Sequence, residues 1–129
     1  MKSVEQVDVL VIGAGPAGLA AAIGAREAGV TSLLVLEREP EMGGILKQCI
    51  HNGFGLHRFQ EELTGPEYAQ RDMDRVRALG IEVRCGTTVL SLDEARNVTA
   101  ISRERGVEHI QAKAVVLAMG CRERPRGAL

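Results

Sequence analysis

Residues 9–24 read VLVIGAGPAGLAAAIG, an apolar run, a glycine turn and an alanine-rich stretch in direct succession. The order predicts a strand over Asp8–Ile12, a tight turn, and a helix running to Ala28. Gly13, Ala14, Gly15, Pro16, Ala17 and Gly18 spell G-x-G-x-x-G between that strand and helix, the context a dinucleotide-binding fingerprint requires. Each glycine has its own physical task. Gly13 permits the sharp turn, Gly15 lets a pyrophosphate approach bare backbone, and Gly18 lets the helix lie close on the strand. Ala22 keeps the inner helix face small. The helix N-terminus directs unpaired N–H groups and the positive end of its dipole at an anion, and Pro16 suits a first turn where no N–H is missed.

A second apolar run, Ser32–Leu36, ends in Glu37, an acid at the expected distance of roughly 20 residues. Its carboxylate suits the hydroxyls of an adenosine ribose and repels a 2′-phosphate. In isolation Glu37 also reads as a solvated strand end.

Composition bounds the alternatives. A chain of 129 residues, 45% hydrophobic, suits one domain with a real core. Aromatic residues at 2% and a net charge of -1 argue against nucleobase stacking, nucleic acid and anionic membrane as partners. Cys49, Cys85 and Cys121 form no C-x-x-C or metal-spaced cluster, which predicts reduced thiols and a cytoplasmic setting. No apolar run reaches membrane-spanning length, and Glu5 and Asp8 interrupt what would mimic a secretory signal.

Beyond Glu37, residues 38–41 form a polar turn, and Gly43 and Gly44 imply close backbone approach, read as a ligand-lining loop. Gln48–Leu63 lacks a clear period and reads as loop with one short helix. Thr64 and Glu67 match a capping box. Ala69, Met73, Val76 and Leu79 then recur on one helical face, Arg71, Asp72, Asp74, Arg75 and Arg77 face water, and Gly80 stops the helix. Ile81–Cys85 predicts a third parallel strand. Thr88–Leu92, Val98–Arg103 and Val107–Ala112 predict an antiparallel meander with polar faces, and Ala114–Ala118 a separate buried strand before an Arg-rich tail.

The succession GAGPAG, LER, MGG, meander, VVLAMG and a downstream PR resembles the FAD-dependent, two-dinucleotide-binding oxidoreductases related to pyridine nucleotide-disulphide reductases. GGILKQCIHNGFG and GCRERPRGAL resemble the branch that includes opine and sarcosine-type oxidase subunits and flavoproteins paired with glycerol 3-phosphate dehydrogenases. The resemblance implies an α/β fold, a Rossmann-like FAD-binding parallel sheet with helices and an antiparallel β-meander. It makes residues 1–129 the N-terminal part of a FAD/NAD(P)-binding domain, with the meander inserted at 87–112.

It further implies that Gly13, Gly15, Pro16, Ala17 and Gly18 hold the FAD pyrophosphate, Glu37 the ribose and Arg38 the adenine side. Gly43 and Gly44 would lie beside the ribityl and pyrophosphate region, the Val89 backbone beside adenine, and Ala118, Met119 and Gly120 at the family's A-T-G strand end. Met119 replaces the usual Thr. Family members are roughly three times longer than such a domain, with a further NAD(P)H domain and a Gly-Asp motif for the ribityl chain, so the sheet is expected to be incomplete and the chain a fragment.

The function implied is the FAD-binding portion of an NAD(P)/FAD-dependent oxidoreductase, inactive by itself, whose partner is a dehydrogenase or oxidase subunit, with homo-oligomerisation open. The competing readings are a fragment of an NAD-only Rossmann dehydrogenase and a non-catalytic nucleotide-binding subunit. Cys49 has no thiol four or five residues away and reads as a small hydrophobe rather than half of a redox pair. His51 and His57, without a carboxylate or Cys cluster, define neither a base nor a metal site.

Overall fold

The computed structural model describes residues 3–49 and 51–120. In chain order they form β1 (Glu5–Ile12), α1 (Pro16–Glu27), β2 (Leu33–Leu36), a 3-10 turn (Gly44–Gln48), α2 (Leu56–Phe59), α3 (Gly65–Ala78), β3 (Glu82–Arg84), β4 (Thr87–Leu92), β5 (Asn97–Ser102) and β6 (Gly106–Leu117). All strands belong to one sheet ordered β3-β2-β1-β6-β5-β4. β3, β2, β1 and β6 run parallel, whereas β5 pairs antiparallel with β6 and with β4. This is the expected Rossmann-like α/β architecture with its meander.

Period-two alternation splits the apolar residues of β1 and β2 between two cores. Val11, Leu33 and Val35 face the helices, packing with Leu19, Ala22 and Ile23 of α1 and Ala69, Met73 and Val76 of α3. Leu10, Ile12, Leu34 and Leu36 face the other way and share a core with Val98, Ala100, Ile110 and Ala112. The central strands are therefore buried on both faces, which is why they read as continuous apolar runs. Burial of a side chain such as Leu19 or Leu34 contributes about 1.5–3 kcal/mol.

The meander supplies that second layer, so its inner face is apolar rather than polar as the sequence predicted. Val98 and Ala100 turn inward, while Asn97, Thr99 and Ile101 alternate outward. The sheet also curls upon itself. Arg84 on β3 hydrogen-bonds Glu108 on β6 and Glu5 at the start of β1, although β2 and β1 stand between β3 and β6 in the sheet order.

The meander's last strand and the expected Ala114–Ala118 strand are one element. Glu5–Val7 and Val9–Ile12 pair in parallel with Ile110–Ala112 and Ala114–Leu117, while Gly106–Gln111 pair with β5. Ala114 and Leu117 are exposed, so this strand is not buried throughout. A further departure is Asp72, expected to face water but only 1% exposed.

α3 begins on the predicted capping box. Thr64 Oγ1 accepts from the Glu67 N–H at 3.3 Å, and Glu67 Oε1 accepts from the Thr64 N–H at 2.9 Å. Gly65 sits where any Cβ would meet the backbone oxygens of Leu46 and Cys49, so the start of α3 packs directly under the 3-10 turn. Between them, Phe54 and Leu63 form an isolated antiparallel bridge flanking α2, the short helix expected in that stretch.

Candidate functional site

The glycine turn lies at the C-terminal ends of the parallel strands. The Gly13 N–H donates to Leu36 O at the end of β2, and the Ala118 N–H donates to Ile12 O at the end of β1, both at 2.8 Å. Gly13 has φ +111°, a left-handed conformation natural only to glycine. A Cβ there would strike the Ala118 carbonyl, so the turn is pressed against the residue that directly follows β6. A Cβ on Gly18 would strike the Gly13 carbonyl oxygen, which fixes how closely α1 approaches the turn.

Gly15 differs from both. A Cβ added to it would meet only Gly44 Cα, at an ordinary 3.7 Å. Gly15 caps α1 without a side-chain hydrogen bond, Pro16 occupies the first turn, and no acidic residue lies in that turn. The first N–H groups of a helix have no intrahelical acceptor, so α1 presents donors and a positive dipole end free of acidic competition.

Glu37 closes one side of this site. It is 9% exposed, which excludes a solvated strand end. Its Oε1 accepts from the Ala14 N–H and its Oε2 from the Glu39 N–H, each at 2.8 Å. Its backbone is held by the neighbouring strand β3 and by the start of β4: the Glu37 N–H donates to Arg84 O, and its carbonyl accepts from the Thr87 N–H. Thr87, buried at the start of β4, thereby brings the meander beside Glu37.

The Gly43–Gly44 loop crosses over the turn. The Gly43 N–H donates to Ala14 O at 2.7 Å. Gly44 has φ +65°, and a Cβ on it would lie 2.8 Å from Gly15 Cα and 3.3 Å from Pro16 Cδ. Any side chain at 44 would push the loop off the helix start.

The structure thus gathers Gly13, Gly15, Pro16, Gly18, Glu37, Gly43, Gly44 and Ala118, with Ala17 exposed on the first turn of α1. Arg38 is exposed and pairs with its neighbour Glu39 at 3.6 Å. Val89 is half-buried against the second core, opposite Ala100. Met119 is 67% exposed, and Gly120 adopts φ +65°. The sequence reading missed Ala14, whose peptide bonds to both Glu37 and Gly43, because a backbone donor leaves no side-chain signature. Residues 121–129, including Cys121 and the Arg-rich tail, lie outside the described residues.

Cys49 is half-buried, and its Sγ–H donates to Ile45 O at 3.6 Å. Neither Cys49 nor Cys85 forms a disulfide among the described residues. His51 is exposed, with its ring 5.0 Å from that of Phe54, and His57 is exposed on α2. Among the described residues, no group of three His, Cys, Asp or Glu side chains is placed to hold a metal, and no helix is long and apolar enough to cross a membrane.

A glycine turn at the ends of parallel strands, backed by a buried acid from the next strand, defines the class of Rossmann-like dinucleotide-binding oxidoreductase domains. Residues 7–128 match the family described as Pyridine nucleotide-disulphide oxidoreductase. The chain belongs to that family.

Among curated relatives, an opine oxidase subunit of Agrobacterium tumefaciens (strain Ach5) is 34% identical over 92% of this chain and 24% of its own length. The alpha subunit of sarcosine oxidase from Corynebacterium sp. (strain U-96) is likewise 34% identical, over 92% of this chain and 13% of its own. The chain therefore spans about a quarter or less of these relatives. The fold matches L-proline dehydrogenase from P. horikoshii, with a TM-score of 0.74 and 24% identity over 93% of this chain and 24% of that one. It also matches thioredoxin reductase from Streptococcus pyogenes MGAS5005, with a TM-score of 0.71 and 23% identity over 97% and 39%.

Proposed function

We propose that the chain is the FAD-binding portion of an oxidoreductase, the N-terminal part of a FAD/NAD(P)-binding domain, and that it holds the adenosine diphosphate half of the cofactor. The observation carrying this reading is the contrast among the three glycines. Gly13 and Gly18 are closed off by protein, whereas a Cβ on Gly15 would make only an ordinary contact with Gly44 Cα, at the start of α1.

The donors at this helix start fit a pyrophosphate, and Glu37 fits a ribose, because a carboxylate has about four acceptor positions and the two backbone donors leave others free. Gly13, Gly15, Pro16, Ala17 and Gly18 frame the phosphates, with Gly43 and Gly44 covering them. Arg38 and the Val89 backbone border the adenine, and Ala118, Met119 and Gly120 form the strand end facing the cofactor. The flavin itself supplies the hydride or electron transfer, while the protein binds and orients it.

In the longer protein NAD(P)H is the electron donor, and the partner is a dehydrogenase or oxidase subunit, which the names of the relatives suggest. The proposed setting is cytoplasmic, a compartment that keeps thiols such as Cys49 reduced.

Titration of FAD into the chain, followed by flavin fluorescence, tests the reading with FMN and NAD as controls. Saturable binding of FAD and none of FMN is expected, because FMN lacks the adenosine half. A chain that takes NAD and rejects FAD overturns the proposal in favour of an NAD-only dehydrogenase fragment.

A further inference from the structure

We infer that Glu37 is a positioning residue for the phosphate turn, acting through the Ala14 peptide, in addition to any contact it makes with a ribose. The inference rests on the nucleotide reading for its ligand and on geometry for its mechanism.

Ala14 is fully buried at the middle of the turn. A buried N–H must find an acceptor, and the one it finds is Glu37 Oε1 at 2.8 Å, from a side chain 23 residues away, just past the end of β2. The other face of the same residue is also held, since Ala14 O accepts from the Gly43 N–H at 2.7 Å. The preceding Gly13 N–H is tied to Leu36 O, adjacent to Glu37. Thus the end of β2 grips the turn twice, through Leu36 backbone and Glu37 side chain. The second grip sits one residue before Gly15, where a Cβ would meet nothing closer than Gly44 Cα at 3.7 Å.

The carboxylate is itself held in place. Its second oxygen accepts from the Glu39 N–H, and its burial leaves little room to rotate away. A charge-assisted bond to a backbone N–H is stronger than a neutral one. Without it, the Ala14 N–H is buried unpaired, and the turn must shift to satisfy it. Any such shift moves Gly15 and the first N–H groups of α1 relative to an incoming phosphate.

The consequence runs against simple electrostatics. Glu37 is an anion beside an anion site, so a residue serving only the ribose would weaken pyrophosphate binding, and its removal would tighten it. A residue that shapes the turn has the opposite effect.

The test measures inorganic pyrophosphate and ADP binding to the 129-residue chain and to Glu37→Ala and Glu37→Gln, together with amide hydrogen exchange at Ala14. In Glu37→Ala, pyrophosphate affinity is expected to fall about tenfold. Ala14 protection should fall with it, while Val11 and Leu34 stay protected and report an intact sheet. Glu37→Gln, whose amide oxygen can still face the Ala14 N–H, should recover part of both, and it carries the test if the alanine variant does not fold. Unchanged or tighter pyrophosphate binding, or Ala14 exchange that ignores the substitution, overturns the inference. A wild-type chain that binds neither ligand refutes the nucleotide reading instead, and Ala14 exchange still decides whether Glu37 holds the turn.

Discussion

Arg58 on α2 and Asp72 on α3 form a two-point ion pair, Nη2 to Oδ1 at 2.8 Å and Nη1 to Oδ2 at 2.9 Å. The aspartate side chain is 2% exposed and the arginine side chain 37%, so the pair closes over a buried anion from one side. Arg58 also donates to the Tyr68 hydroxyl at 3.2 Å and lies 4.8 Å above the Phe59 ring. The pair pins a segment with little other regular structure onto the outer face of α3.

Removing one partner of a buried pair strands the other's charge. Arg58→Ala is therefore expected to destabilise the chain by about 2 kcal/mol, discounted from the fully buried case because the arginine is partly solvated. Arg58→Met with Asp72→Leu should recover most of the loss. Urea unfolding curves for the two variants check this, and an Arg58→Ala midpoint matching wild type would refute it.

The three glycines of the turn should separate by substitution. Gly18→Ala drives a methyl into the Gly13 carbonyl and should cost about 1–3 kcal/mol through overpacking. A Cβ at Gly15 meets no such obstacle, and Gly15→Val fills the space assigned to pyrophosphate, so it should stay closer to the wild-type unfolding midpoint than Gly18→Ala and lose FAD binding. Paired thermal melts and FAD titrations check the contrast. FAD retention by Gly15→Val would refute the assignment of that space.

Acid stability offers a test of the sheet's curl. Arg84, 8% exposed at its side chain, hydrogen-bonds Glu5, Glu82 and Glu108. Its hydrogen bond holds the Glu5 carboxyl below the usual glutamate range, against the opposing effect of burial. A carboxylate depressed on folding contributes stability above its unfolded pKa of about 4, and that contribution is lost as pH falls through the lower folded value. Glu5→Gln should therefore be less stable than wild type at neutral pH and converge with it in acid. Unfolding curves at pH 7 and pH 3 check the sign, and parallel losses at both would refute it.

Legibility in the sequence followed the range of the interactions. The β1-α1-β2 frame and the start of α3 could be read because the glycine turn, the strand-ending acid and the capping box are local patterns with fixed spacing. Asp72 could not, because among Arg71, Asp74 and Arg75 it has the charge pattern of a solvated face. Its partner Arg58 lies 14 residues away in a stretch without periodicity. β6 was split in two for a similar reason. Its first half alternates, as suits a strand packed on one face, and its second is continuously apolar, yet one backbone serves β5 and then β1. Ala14 carried no signal at all, since its contribution is a peptide N–H.

Partial binding follows from what the site contains. Under the proposed function the turn, Glu37 and the Gly43 loop serve the adenosine diphosphate half of FAD, so ADP and FAD should bind this chain with affinities within about tenfold, a difference of about 1.4 kcal/mol. NADH oxidation with added FAD should not exceed that of free flavin. Calorimetry with ADP, FAD and FMN checks the first point. FAD binding far tighter than ADP would show that the chain also grips the flavin end.

The last prediction concerns the edge of the sheet. β6 pairs with β5 only as far as Gln111, and among the described residues Ala114–Leu117 pair with β1 alone. That leaves a run of apolar strand with one side open, and Leu117 is 58% exposed upon it. An open strand edge is a template for further strand pairing, and natural edges are blunted with charge, lysine above all. Here the one lysine in the segment, Lys113, lies near the beginning of the open run and is paired with Asp8 at 3.3 Å, so among the described residues the apolar end of the strand carries no lysine. The chain should therefore associate as its concentration rises. Leu117→Lys should shift that association to higher concentration while leaving the far-UV circular dichroism unchanged, because the side chain projects from the end of the strand rather than into either core. Sedimentation velocity across a concentration series measures both variants. Equal association by Leu117→Lys and wild type would mean that the contact lies elsewhere on the molecule.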